Sequence, residues 1–397
     1  ARSPDVVVRL SAGRARVAIR PGEQTEVLRF SGEVLEGRSD ALLSAPSYLG
    51  PTLNLRRGER IRIEFENQLR EPTVVHWHGL IVPEAMDGHP RFAVPAGGRY
   101  TYEFDVVNPA GTYLYHPHPH GRTGHQVYFG LAGLILIRDS QEVDIGLPAG
   151  EHEIPMVLQD RSFDSENRLL YGRSMMDAMN GFLADSVLVN GRTDALFEVS
   201  RRAHRLRVAN VSNSRIYKLA WSDGSPLTVI GVDNGLLSAD EGPQERPFVM
   251  LAPFERVELI ENFGRHKQGD EVELLSAAFD VSGGRMGGGM MGGRGMMGGS
   301  SQGREMSIAR FRVGGGSAIR AVPLRLPSIT RPEPGKAHSI STELGFRHMQ
   351  GTLNGRSFEM REIADDERLP FSKPTVWTFS NPASGMMSMP HPMHIHG

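Results

Sequence analysis

At 397 residues the chain has room for two to three domains of about 150 residues each. Lys+Arg 44 against Asp+Glu 46 leaves a net charge of −2, which argues against a nucleic-acid-binding chain, and a hydrophobic content of 39% is too high for a wholly disordered one. Cys 0 removes disulfides, zinc–thiolate sites, cysteine nucleophiles and iron–sulfur clusters from these residues, and the longest apolar run, Phe129 to Ile137, is about half of the ~20 residues a membrane helix needs.

Strand signals dominate in chain order. Ile61-Arg62-Ile63-Glu64-Phe65-Glu66 alternates apolar and charged residues, and Tyr100, Tyr102, Phe104 and Val106 repeat at period two. The pattern returns in Leu206-Arg207-Val208, Val257-Glu258-Leu259, Ile308 to Val313 and Thr375 to Phe379. Period two predicts strands with one face on a core and the other in water. Pro95-Ala96-Gly97-Gly98, Asn190-Gly191 and Asn354-Gly355 read as turns. No stretch has long helical periodicity, so the fold class expected is all-β, built of sandwiches or barrels.

Leu131 to Ile137 reads as a buried strand and Arg138 to Glu142 as a linker. A second strand-rich block runs from Ile154 to Val313, and Gly314-Gly315-Gly316-Ser317 makes a flexible break before a short third block. That block reaches Gly397 with no closing strand, so the chain is expected to be incomplete there. Within the second block, residues 283–303 are rich in glycine and carry Met286, Met290, Met291, Met296 and Met297. The segment is either a disordered loop with methionine by drift or a cluster of thioethers that captures Cu(I).

Nine of 15 histidines stand in short, closely spaced groups: His76, His78, His116, His118, His120 and His125, then His391, His394 and His396. His76-Trp77-His78, His116-Pro117-His118 and His394-Ile395-His396 share the i, i+2 spacing that puts two imidazoles on one face of a strand. Three such pairs on strand ends can converge on a small volume suited to Cu, Zn, Fe or Ni. A zinc hydrolase gathers three protein ligands and an open position. Seven candidates (His76, His78, His116, His118, His391, His394, His396) exceed one ion's need and point to an oxygen-activating copper cluster.

His76-Trp77-His78-Gly79, Tyr115-His116-Pro117-His118-Pro119-His120-Gly121, Gly130-Leu131-Ala132-Gly133 and His391-Pro392-Met393-His394-Ile395-His396-Gly397 resemble three of the four copper motifs of the multicopper oxidases. The glycine and methionine content is similar to that of the bacterial copper-efflux oxidases, which are laccase-like periplasmic cuprous oxidases. The resemblance implies three cupredoxin-like Greek-key β-sandwich domains. These are 1–140 with the trinuclear-cluster histidines, 141–315 with the Met/Gly-rich loop 283–303, and 316–397, cut before the His-Cys-His motif. It assigns His76 and His394 to type 2 copper, His78, His116, His118 and His396 to part of the type 3 pair, and His391 to the type 1 electron-entry copper. Asp87, nine residues after His78, matches an acidic residue that relays protons; its other reading is a turn residue before Gly88. Met387 and Met389, two positions apart and just before His391, are candidate Cu(I) contacts or else core filler. Met387 stands where the copper-efflux enzymes have an Asp, and their Met-rich insert, placed between about 327 and 354, is instead in the second block here.

The fourth motif is absent, so the residues present hold no thiolate for type 1 copper. The expectation is that they are a piece of a full oxidase; the competing reading is a copper-binding relative, catalytically incompetent or scaffold-type. The scaffold relatives that assist cell division have lost their copper histidines, which are kept here. A third reading is an O2-independent zinc or iron β protein. The resemblance implies an enzyme that oxidises Cu(I), and phenolic or amine reductants, with O2 as acceptor. Its setting is expected to be periplasmic, with a signal peptide already removed before Ala1, no membrane span, no nucleic-acid partner and a monomeric state.

Overall fold

The structure, a computed structural model, describes residues 2–45, 47–172, 177, 181–280, 302–318, 325–330, 333–347, 350–370, 373–382 and 390–396. It divides into two units, one of residues 1–280, 290–327 and 392–397, the other of 281–289 and 328–391.

The larger unit begins with a sandwich of nine strands: β1 (Val6–Val17), β2 (Thr25–Glu36), β3 (Leu42–Leu43), β4 (Thr52–Arg56), β5 (Arg60–Asn67), β6 (Val75–His78), β7 (Arg99–Asp105), β8 (Gly111–Pro117) and β9 (Gly133–Arg138). One sheet runs β2-β1-β5-β7 and the other β3-β4-β9-β8-β6. The alternating run predicted at 61–66 forms β5, and its Ile61, Ile63 and Phe65 enter a core with Trp77, Tyr102, Tyr113, Tyr115, Ile135 and Ile137. Period two turns the intervening residues of β8 and β9 outward. There Leu114 and Leu134 pack with Val157, Leu188 and Ala209 of the second sandwich. The sheet is thus covered on both faces, which is why β8 is buried along its whole length.

The second sandwich pairs a sheet centred on Ala203–Asn210, parallel to Glu153–Phe163 and antiparallel to Arg256–Asn262, with a five-stranded sheet around Met306–Val313 and Glu271–Ser276. Asn190-Gly191 takes φ of 53° and 72°, the paired left-handed conformation of a tight hairpin turn. The smaller unit holds a three-stranded sheet. His338–Arg347 pairs antiparallel with Gln350–Leu353 and parallel with Thr375–Ser380. In it Trp377 stacks on Phe379 and donates its indole N–H to Thr342 Oγ1 at 2.7 Å. Helices among the described residues are short, Thr123–Tyr128 and Ser140–Asp144 beside 3-10 turns, and none is long and apolar enough to cross a membrane.

Two expectations need correction. The charged positions of the second sandwich's alternating strands do not face water: Arg205, Arg207 and Glu258 are fully buried, because the first sandwich covers that face. The supposed linker 138–142 is part of the same structure. Ser140–Asp144 is a helix capped by the Asp139 carboxylate, and its Glu142 is buried. Arg138, Arg205 and Arg207 interlock there with Glu142, Glu153 and Glu258. Arg207 reaches Glu142 at 2.7 Å, Glu153 at 2.5 Å and Glu258 at 2.7 Å, while Arg205 meets Glu258 at 2.5 Å and also pairs with Glu142. Thr112 of β8 donates to Glu258 at 2.7 Å, which ties the first sandwich into the network.

Three cations against three anions leave no net charge, but removing one member strands a buried carboxylate. Arg207→Met is therefore expected to cost about 3–5 kcal/mol, read as a fall in denaturation midpoint. Burial pushes the Glu153 carboxyl up, yet Arg138 and Arg207 outweigh it and hold it at about 2, against a usual 4.5. A depressed carboxyl contributes stability that is complete above the unfolded value and is lost as pH falls from 4.5 toward about 2. Thermal melts over that window should show the loss, and Glu153→Gln should flatten it.

Candidate metal centre

The antiparallel pairing of β6 with β8 sets His76 opposite His116 and His78 opposite Leu114. Trp77 and Tyr115, also opposite each other, point into the first core. His76, His78 and His116 therefore share the face that the second sandwich covers, and all three are buried. His118 follows one residue beyond the end of β8, its backbone N–H donating to Val74 O at 3.0 Å.

The third histidine pair reaches the same place by another route. His394 and His396 are on irregular chain, not on the strand end expected for them. The His394 ring lies flat on His78 with centroids 3.8 Å apart, and the His396 ring lies flat on His76 at 4.0 Å. Both are exposed as whole residues, yet their rings complete the cluster. Six predicted histidines thus come together. His391 is exposed and falls in the smaller unit. Met286, Met290, Met291, Met296, Met297, Met387 and Met389 lie outside the described residues.

Hydrogen bonds set the tautomers. A carbonyl can only accept, so His76 Nδ1–H donates to Asp87 O at 2.7 Å and His116 Nδ1–H donates to Pro117 O at 2.9 Å. Each leaves an Nε2 lone pair inward. His396 Nδ1–H donates to Asp87 Oδ2 at 2.6 Å. Asp87 sits where a 3-10 turn, Glu84–Met86, ends, just before Gly88. Gly88 has φ of 79°, and a Cβ there would stand 2.1 Å from Val75 O, so the turn can press Asp87 against β6 only with glycine next to it. Asp87 is thus a turn residue before Gly88, and its carboxylate touches His76 and His396.

Electrostatics keep the rings neutral. Burial, then the neighbouring imidazoles, pulls His78 and His116 well below the usual histidine range and lowers His118 to about 4 and His394 to about 3. Burial also lowers His76, against the pull of Asp87. Burial would raise Asp87, but hydrogen bonds from His396 and His76 hold its carboxyl at about 2. The set offered is several neutral imidazoles and one carboxylate, the form in which these groups bind metal.

The donor set fits copper. His76 Nε2 and His394 Nε2 are 3.2 Å apart, and His78 Nδ1 and His116 Nε2 are 3.3 Å apart. Two ligands each about 2.0 Å from one ion at a near-tetrahedral angle are separated by about 3.3 Å. Ligand atoms of His76, His78 and His394 lie within 4.8 Å of one another, as do those of His76, Asp87 and His396. His118 Nδ1 is buried without a hydrogen-bond partner. Imidazole is a ligand that suits copper, as it also suits zinc, iron and nickel.

Two neighbours had no signal in the sequence. Phe254, from the second sandwich, sets its ring 4.5 Å from His116 and 5.5 Å from His78, centroid to centroid. Arg256 packs behind Gly79, where a Cβ would meet its guanidinium at 2.8 Å.

Comparison with known proteins points to one family. The multicopper oxidase family profile matches residues 32–142. The multicopper oxidase mco of Staphylococcus haemolyticus is 30% identical over 351 residues, covering 88% of this chain and 68% of the relative. The cell division protein FtsP of Xenorhabdus nematophila is 36% identical over 217 residues, 54% of this chain and 44% of that protein. The solved laccase-like multicopper oxidase CueO of the lignin-degrading bacterium Ochrobactrum sp. superposes with a TM-score of 0.76 at 26% identity, covering 95% of this chain and 80% of that one.

Asp87→Asn keeps the shape of the side chain but removes the charge that orients His76 and His396. It is expected to weaken copper binding by roughly 10–100-fold with little change in melting temperature. Copper titration beside a thermal melt checks both halves.

Proposed function

The chain belongs to the multicopper oxidases, copper-dependent oxidoreductases, and from this we propose that it couples one-electron oxidation of Cu(I), and of phenolic or amine reductants, to four-electron reduction of O2 to water. We place this activity in the periplasm, in copper tolerance, with the protein acting as a monomer. The observation that carries the reading is the convergence of six imidazoles, those of His76, His78, His116, His118, His394 and His396, around β6 and β8. We further propose that domains 1–140, 141–315 and 316–397 divide the labour, with His391 serving the electron-entry copper.

His76 and His394 would hold type 2 copper, and His78, His116, His118 and His396 part of the type 3 pair. Copper bound by these residues supplies closely spaced one-electron couples, so that O2 can receive its electrons without release of partly reduced oxygen. The protein supplies the rest. The carbonyls of Asp87 and Pro117 keep inward lone pairs on His76 and His116 before any ligand arrives. Burial between two sandwiches keeps competing protons off the imidazoles, so protonation of His118 begins only as pH falls toward about 4. Asp87 Oδ2 is committed to His396, whereas Oδ1 stands 3.2 Å from His76 Nδ1, whose proton goes first to the Asp87 carbonyl, and Oδ1 is the atom at which we assign proton delivery.

Copper per chain and O2 uptake in the full-length protein test the reading, with Cu(I) and then a phenol as reductant. His116→Ala is expected to lose copper from the cluster and to reduce O2 uptake by about 100-fold or more, since it removes a ligand and not merely its support. Stoichiometric copper with no O2 uptake in the unaltered protein would favour the non-catalytic relative. Binding of zinc or iron alone would sink the copper assignment.

A further inference from the structure

Phe254 combines two unusual properties. Its φ is 65°, in the left-handed region. The other non-glycine residues in that region, among those described, are Ser47, Asn167, Asn190, Asp194 and Asn354, small polar types that tolerate it. A bulky aromatic side chain does not, and such strain persists only where surrounding structure enforces it. The second property is position: the ring packs against His116 and His78, although the sandwich it comes from contributes none of the six clustered histidines.

The enforcing structure is the turn at 252–256. Phe254 N–H donates to Asn210 O at 2.7 Å, and Asn210 N–H donates to Glu255 O at 3.0 Å. Glu255 closes the turn by accepting from Ala252 N–H on Oε2 at 2.6 Å. Arg256 then clamps it to the first sandwich. Its guanidinium donates to Phe254 O at 2.9 Å, to Asp233 O at 2.6 Å and to Thr112 O at 3.1 Å. Thr112, Leu114 and His116 alternate along one face of β8, so the clamp grips the strand that carries His116.

We propose that this turn is a back wall built for the histidine cluster, with Phe254 as a positioning residue that fixes the His116 and His78 rings and keeps water from that side. The inference rests on the reading of the cluster as a copper centre, and it assigns the second sandwich a part in that centre. If the strain is kept for the site, then relieving it should cost the fold little and the site much.

Phe254→Gly and Phe254→Leu in the full-length protein separate the two. Glycine relieves the left-handed strain, which offsets the lost packing, so its melting temperature should fall by no more than about 4 °C. In metal-stripped protein the His116 Nδ1–H, followed by NMR, should exchange with water roughly tenfold faster than in the unaltered protein. Affinity for Zn2+, a redox-inert probe, should fall roughly 10–100-fold. Leucine restores the bulk and should recover most of both. Unchanged exchange and Zn2+ affinity in Phe254→Gly would overturn the proposal, as would an exchange rate that rises only in step with global unfolding. If the unaltered protein itself binds no copper, the functional reading fails independently of these variants.

Discussion

The pairing of β6 with β8 is the constraint on which the rest depends. Because side chains alternate along a strand, one register decides two things at once. It sends Trp77 and Tyr115 into the first core and sets His76, His78 and His116 on the opposite face. A slip of one residue would exchange these sets, placing imidazoles in the core and an indole in the metal centre. The bulk of Trp77 and Tyr115 thus protects the register of the histidines: the core has a strong preference between the two alternatives, and the metal ligands inherit it.

A strand face with three histidines would normally be solvated, with imidazoles that protonate near neutrality. Here the second sandwich covers that face, and the covering has a cost as well as a use. It desolvates the imidazoles, which lowers their basicity and leaves neutral donors. It also buries the charged residues of the facing strands, and the network of three arginines with three glutamates is how that cost is met. Arg138, Arg205 and Arg207 balance Glu142, Glu153 and Glu258, so this network adds no net charge to the interface that dries the cluster.

Much of this was legible in the sequence, and the limits have a physical pattern. The period-two runs at 61–66 and 100–106, the Asn-Gly turns and the His-x-His spacing are local signals, and each describes the element it sits in. What could not be read is whatever depends on a distant segment. Nothing in Leu206-Arg207-Val208 says that another sandwich will cover the arginine, so the pattern alone predicts a half-solvated strand. The same holds for Glu142, whose burial depends on strands over 60 positions away, and for Phe254, whose significance is a backbone angle and two distant rings. His394 and His396 show the converse: their chemistry was visible, but the irregular chain that carries them was not, because i, i+2 spacing does not require a strand.

The hydrogen-bond pattern carries one more step. His76 and His116 have given their Nδ1 protons to backbone carbonyls, so each presents only a lone pair at Nε2. Each of these lone pairs faces another imidazole nitrogen, of His394 at 3.2 Å and of His78 at 3.3 Å. Two lone pairs cannot face each other at that distance without a positive charge between them, and either a proton or a metal ion can supply it. The carbonyls therefore fix one partner of each pair and leave the other free to change tautomer. A metal held between these nitrogens would require His394 and His78 to carry their proton on the other ring nitrogen. The backbone carbonyls thus hold one ring of each pair in a single tautomer, and the other ring need only exchange its proton between nitrogens for the pair to present two lone pairs to an ion.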